Sequence, residues 1–228
     1  MKNKSMILSA LTIVGLALVG MDSFKARAMD IWGMGEVPRI TDPKDVPQTL
    51  PEMWKGYNES YDKNNPLEAK ILKTWETQDG IVVNWVELTV GTFQGKKSIV
   101  CGFWAYPRDA KNLPAILSVN GGPQTGSEDS ALYYARLGYA CFNPNHNQDE
   151  KMGGETEGLP NTDWGALNAS PNQGSERWFT ATDKTIDVVP SPRNDWLFPR
   201  QISGRRIISF MMQQPQVNPR KIGITGFS

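Results

Sequence analysis

Between Pro114 and Asn143 the chain holds a short apolar run, Pro114-Ala115-Ile116-Leu117-Ser118-Val119, a helix-like stretch from Glu128 to Leu137, and a second apolar run, Tyr139-Ala140-Cys141-Phe142-Asn143. Strand, helix and strand within about 30 residues form a βαβ unit, because parallel strands can be joined only by a crossover and that crossover is usually a helix. This unit constrains the fold more than any other feature. A parallel sheet has both faces covered, since crossover helices lie against them. The neighbouring segments fit the same class. Ile81 to Val90 and Ser98 to Tyr106 are β-branched runs separated by Gly95-Lys96-Lys97, which predicts a hairpin. Ile202, Arg206, Ile207, Phe210 and Met211 recur at helical spacing within Gln201 to Gln214, and Lys221-Ile222-Gly223-Ile224-Thr225 is a last short strand.

Composition narrows the function. Apolar residues make up 39% of the chain and eight residues are Trp, which excludes wholesale disorder. Two cysteines are too few for a disulfide scaffold or a Cys-based zinc site. The 24 Lys and Arg balance 24 Asp and Glu, but residues 1 to 28 hold four of the cations and one of the anions. The remaining 200 residues therefore carry 20 cations against 23 anions, a slightly acidic balance that argues against a nucleic-acid binder, which needs a basic patch or stripe.

Residues 1–28 read as a signal peptide. Lys2 and Lys4 precede Met6 to Gly20, where 11 of 15 residues are apolar, and Ala26-Arg27-Ala28 supplies the small-x-small pattern for cleavage after Ala28. An uncleaved anchor is the competing reading, although the run falls short of the roughly 20 residues a spanning helix needs. The mature product is expected to be secreted or periplasmic, with no membrane contact after cleavage. Asn58-Glu59-Ser60 and Asn168-Ala169-Ser170 fit the glycosylation pattern, which has meaning only on a eukaryotic secretory route. Residues 29–74 read as an N-terminal arm, because Pro38, Pro43, Pro47, Pro51 and Pro66 interrupt any long regular element. Residues 75–228 read as the folded domain, with a long loop over 144–200.

The last strand runs into Gly226-Phe227-Ser228. A strand entering Gly-x-Ser is the first half of a nucleophile elbow, in which small residues permit a tight turn that holds the serine hydroxyl clear of the sheet. Asn120-Gly121-Gly122-Pro123, at the end of the first strand of the βαβ unit, is the matching feature, since such a loop presents N–H groups to a developing oxyanion. Gly122 has an N–H to give and Pro123 has none. The Asn120 side-chain amide is a further candidate donor. Gly121 to Gly126 also has Walker-A spacing, but Ser127 stands where that motif needs lysine.

The chain from about residue 75 resembles the exported acetylxylan-esterase-like α/β-hydrolases of bacteria. The resemblance rests on Val119 to Gln124, Ala135 to Ala140, Asn161-Thr162-Asp163-Trp164-Gly165-Ala166, Ile186 to Asn194 with its Pro190-Ser191-Pro192-Arg193-Asn194 end, Arg205-Arg206, and Gln214 to Gly223. It implies an α/β-hydrolase fold with Ser228 as nucleophile and Gly121 and Gly122 in the oxyanion hole. It further implies a small-molecule or polysaccharide ester as substrate, and neither cofactor nor metal. Asn120 departs from the His more usual at that position. Chain order in this fold is Ser, then Asp or Glu, then His. Both partners are therefore expected beyond residue 228, the fold is expected to be incomplete with its C-terminal strands absent, and this fragment is expected to be inactive.

His146, the one histidine, precedes Ser228 and reads as a surface or loop-packing imidazole. Asn143, Asn145, Asn147 and Asp149 alternate like calcium ligands, but Gln148 and Gly154 stand where a calcium loop needs Gly and Glu. Trp164, Trp178 and Trp196 form either a sugar-stacking substrate loop or anchors for an irregular segment. Cys101 and Cys141 fall on strands expected to be neighbours, as a disulfide or as buried thiols. Arg205-Arg206 reads as solvated helix charge that also anchors a loop. Beside the serine esterase stand two other readings, a prolyl-oligopeptidase-type peptidase, against which the lack of propeller repeats counts, and a noncatalytic exported carbohydrate-binding protein.

Overall fold

The computed structural model describes residues 36–37, 41–55, 66–93, 95–121, 125–146, 152–166 and 197–227. The expected hairpin is β3 (Ile81–Phe93) and β4 (Lys96–Pro107), antiparallel from Ile81 opposite Pro107 to Phe93 opposite Lys96. Both strands are buried almost continuously rather than at alternate residues, as befits a sheet covered on both faces. The βαβ unit is β5 (Leu113–Asn120), α2 (Glu128–Arg136) and β6 (Ala140–Asn145), with β5 and β6 parallel. A second helix, α3 (Leu197–Met212), leads into β7 (Val217–Phe227), which runs parallel to β5.

Two further strands flank β3. The two-residue β1 (Glu36–Val37) pairs with its end, and β2 (Lys70–Glu76) runs antiparallel to it. The strand order β1-β3-β4-β6-β5-β7, with β2 also on β3, is a mixed sheet of the α/β-hydrolase kind. β2 begins inside the stretch read as arm. Its mostly exposed residues give little periodic signal, and only Leu72 and Trp75 lean on the core.

The two helices lie on opposite faces. Phe198, Ile202, Ile207, Phe210 and Met211 of α3 pack on Trp104, Leu117 and Phe142, whereas Ala131, Leu132 and Ala135 of α2 pack on Trp85, Phe103 and Cys141. A short α1 (Leu50–Met53) brings Trp54 onto Phe198 with ring centroids 5.4 Å apart. Arg206 corrects the reading of a solvated helix charge. It is fully buried, and donates from Nε to the Thr89 carbonyl at 3.2 Å and from Nη2 to the Pro66 carbonyl at 2.8 Å. The cysteines are free: Cys101 lies opposite Asn145 and Cys141 opposite Ala105, four rungs away on the same ladder. Four rungs span about 13 Å, beyond the reach of a disulfide. Burial pushes both thiols up to about 12.

β5 is where the strand order reverses. Its successor β6 lies on one side and β7 on the other, so the loops leaving the carboxyl ends diverge and open a crevice there. The spacing of β4 and β6 beside it depends on Gly102, opposite Pro144. A Cβ on Gly102 would stand 2.5 Å from Phe142 Cε1, 2.8 Å from the Asn143 carbonyl oxygen and 2.9 Å from Pro144 Cα. Two of these atoms are backbone and cannot swing away. Gly102→Ala is therefore expected to destabilise the fold by about 1–3 kcal/mol, read as a lower urea midpoint at unchanged m-value.

Candidate active site

The parallel register of β5 and β7 sets Asn120 opposite Phe227, the residue before Ser228. Ser228 and Gly122 lie outside the described residues, as do Trp178, Trp196, the signal segment and both glycosylation tripeptides. The strands run close at Gly226, where a Cβ would stand 3.3 Å from the Val119 carbonyl oxygen. Beside these strand ends lies a cleft of about 460 Å³, lined by Ser118 and Asn120, by Thr225 and Gly226, and by Tyr133 and Tyr134 of α2.

The turn after β5 is held from below by two buried asparagines of β6. Asn143 Oδ1 accepts from the Ser127 N–H at 2.8 Å and from Asn120 Nδ2 at 3.2 Å, while its Nδ2 donates to the Ser118 carbonyl at 2.9 Å and to Asn120 Oδ1 at 3.3 Å. Asn145 Oδ1 accepts from the Gly126 N–H at 3.0 Å and its Nδ2 donates to Asn161 Oδ1 at 2.6 Å. Their oxygens thus face N–H donors rather than a cation. Asn120 Nδ2 donates to the Thr125 carbonyl as well as to Asn143. Both of its N–H groups are engaged, so the side-chain amide closes the turn instead of facing an oxyanion. The sequence signal for Asn143 and Asn145 was present: two amides at alternate positions of an otherwise apolar strand, at its carboxyl end.

His146 follows directly. It is 6% exposed and packed on α3, with Nδ1 accepting from Arg200 Nε at 3.1 Å and Nε2 at 3.1 Å from Ser203 Oγ. Ser203 Oγ itself donates to the Arg200 carbonyl at 2.6 Å, which leaves it to accept from His146 Nε2–H and fixes the neutral tautomer. Burial, then the Arg200 charge, hold the imidazole well below its usual range, and burial lowers Arg200 too. Trp164 is an anchor. It is 1% exposed, donates from Nε1 to the His146 carbonyl at 3.3 Å, and has no face open to a sugar. Asn161-Thr162-Asp163-Trp164-Gly165 thereby has a building role: Asn161 caps Asn145, Thr162 Oγ1 accepts from the Cys101 N–H at 2.9 Å, Asp163 Oδ1 accepts from the Gly165 N–H at 2.8 Å, and Gly165 sits at φ +67°. Among the described residues no group of three or more His, Cys, Asp or Glu is placed to hold a metal. Nor is any described helix long and apolar enough to cross a membrane.

Solved structures share this architecture. Acetyl Xylan Esterase 1 from Thermoanaerobacterium sp. JW/SL YS485 superposes with a TM-score of 0.55 at 14% identity, over 89% of this chain and 55% of that one. The acetyl xylan esterase from Paenibacillus sp. R4 gives 0.52 at 14% identity, over 81% of this chain and 54% of that one. The fold is thus that of an α/β-hydrolase, the class to which these esterases' structures belong. The chain spans about half the length of these two structures. No family model matches the sequence, and no curated protein matches it.

His146 also sets a pH dependence. Its folded-state pKa lies below the unfolded value near 6.5, so between the two the unfolded chain binds a proton that the folded chain refuses. Stability is fully present above about 6.5 and is lost as pH falls, by at most about 1.4 kcal/mol per pH unit. Urea unfolding at pH 7 and pH 5.5 is expected to show this loss, and His146→Gln, which removes the only histidine, to flatten it.

Proposed function

We propose that this chain carries the nucleophile and oxyanion half of an exported serine carboxylester hydrolase that deacetylates acetylated plant polysaccharide. Ser228 attacks the acyl carbonyl, and the backbone N–H groups of Gly121 and Gly122 receive the oxyanion, where preorganised dipoles act on the developing charge. The observation that supports this most is the pairing of Asn120 with Phe227 at the point where the strand order reverses, because it sets the residue before Ser228 beside the last residue of β5. The esterase fold of both solved neighbours agrees with it. In this reading the general base and its orienting carboxylate come from polypeptide beyond residue 228, in the order Ser, acid, His. His146 does not serve: both ring nitrogens are already engaged by Arg200 and Ser203. A sugar-binding platform of the three tryptophans is disfavoured by the burial of Trp164.

Turnover of p-nitrophenyl acetate and acetylated xylan tests the proposal. The 228-residue chain alone is expected to give no turnover above a Ser228→Ala control, since loss of triad partners costs on the order of a millionfold. Joined to a C-terminal half bearing the acid and His, it is expected to hydrolyse both esters, and Ser228→Ala to abolish this. Turnover that survives Ser228→Ala would overturn the assignment of the nucleophile.

A further inference from the structure

Arg200, in the first turn of α3, reaches the carboxyl end of β5. Its Nη2 donates to the Asn120 carbonyl oxygen at 3.3 Å while its Nε donates to His146 Nδ1 at 3.1 Å. The β5–β6 ladder ends at Leu117 opposite Phe142, so past that point the carbonyls on this side of β5 need other donors. Carbonyls two residues apart on a strand point the same way. The Ser118 carbonyl takes the Asn143 amide and the Asn120 carbonyl takes the Arg200 guanidinium.

A peptide unit is planar and trans, so a donor that fixes the Asn120 oxygen also fixes the Gly121 N–H on the opposite side, toward β7. That is the side on which Asn120 is paired with Phe227. A cation on the carbonyl also polarises the amide and strengthens its N–H as a donor. We propose that Arg200 is a positioning residue of the esterase site, locking the Asn120–Gly121 peptide against the nucleophile strand, and that His146 Nδ1 is the acceptor that keeps the guanidinium in place. The role rests on the esterase reading; the geometry and its test do not.

The hydrogen bond requires a neutral imidazole. Protonation would put an N–H on Nδ1 against the Arg200 N–H. Arg200 is the charged group of the described residues acting on His146; Ser203 and Trp164, which also contact it, are uncharged. The lock should therefore open as His146 takes a proton.

Asn-Gly occurs once in the sequence, at Asn120-Gly121. Labelling Asn carbonyl carbon with ¹³C and Gly nitrogen with ¹⁵N in the 228-residue chain therefore gives one correlated peptide signal in a triple-resonance NMR spectrum. In Arg200→Met the Asn120 carbonyl carbon is expected to shift upfield, as it does when a carbonyl loses its donor, with the far-ultraviolet circular dichroism unchanged. Arg200→Lys, which can reach one acceptor at a time, is expected to restore part of that shift. In the unsubstituted chain the signal should move as the imidazole titrates, below pH 6.5, and in Arg200→Met it should not. A folded Arg200→Met with an unshifted signal would refute the lock. If Arg200→Met does not fold, the titration of the unsubstituted chain decides alone: a signal indifferent to imidazole protonation overturns the proposal. No turnover enters the readout, so a failed nucleophile assignment and a failed lock are told apart.

Discussion

The Asn143 carboxamide has no solvent exposure, and an amide removed from water must have its donors and acceptor answered or lose on the order of 1–3 kcal/mol for each group left bare. It is answered by Ser118, Asn120 and Ser127, which lie before, at and after the turn that closes β5. One buried side chain thereby ties the end of β5 to the start of α2. Ser127 is the N-cap of that helix, its hydroxyl accepting the Ser130 N–H at 3.1 Å, so the same contact that seats the turn orients α2 and one wall of the cleft. The site depends on polar satisfaction inside the sheet more than on the loop's own sequence.

Much of the architecture was legible because it is local. The βαβ unit, the hairpin and α3 each announce themselves within 15 to 30 residues, and the structure contains all three, although α3 begins at Leu197 and β6 runs to Asn145, both inside the stretch read as a long loop. What escaped is long-range. Arg206 reads as surface charge on its helix and becomes interior only because Pro66 and Thr89 bring it carbonyl oxygens from far along the chain. Asn143 and Asn145 read as part of an irregular loop whose likeness to a calcium site is broken at Gln148 and Gly154. They belong to the strand, and their partners are backbone groups that no residue pattern specifies. β2 was hidden for the opposite reason, because a strand with little buried surface carries little hydrophobic signal.

The motif segments divide along the same line. Asn161 to Gly165, among the more specific segments of the resemblance, seals the ends of β4 and β6 and contributes nothing that faces the cleft. The less specific Gly226-Phe227 is the pair that the structure sets at the strand ends, beside Val119 and Asn120. Sequence specificity therefore measured how demanding the packing is. With the solved neighbours at 14% identity the likeness is one of fold, and the chemical argument comes from the register at the strand ends.

That register carries a consequence for how the molecule assembles. β3 and β4 meet across a turn of a few residues, a closure that forms early at little entropic expense, whereas β7 must find β5 across a span of about a hundred residues. On loop-closure grounds the hairpin is expected to form before the strand leading to the serine docks. The crevice is then a product of completed folding. A chain halted at any earlier stage holds the end of β5 without its neighbour, so the cleft beside Asn120 and Gly226 has only one of its two strand walls until the last strand is in place.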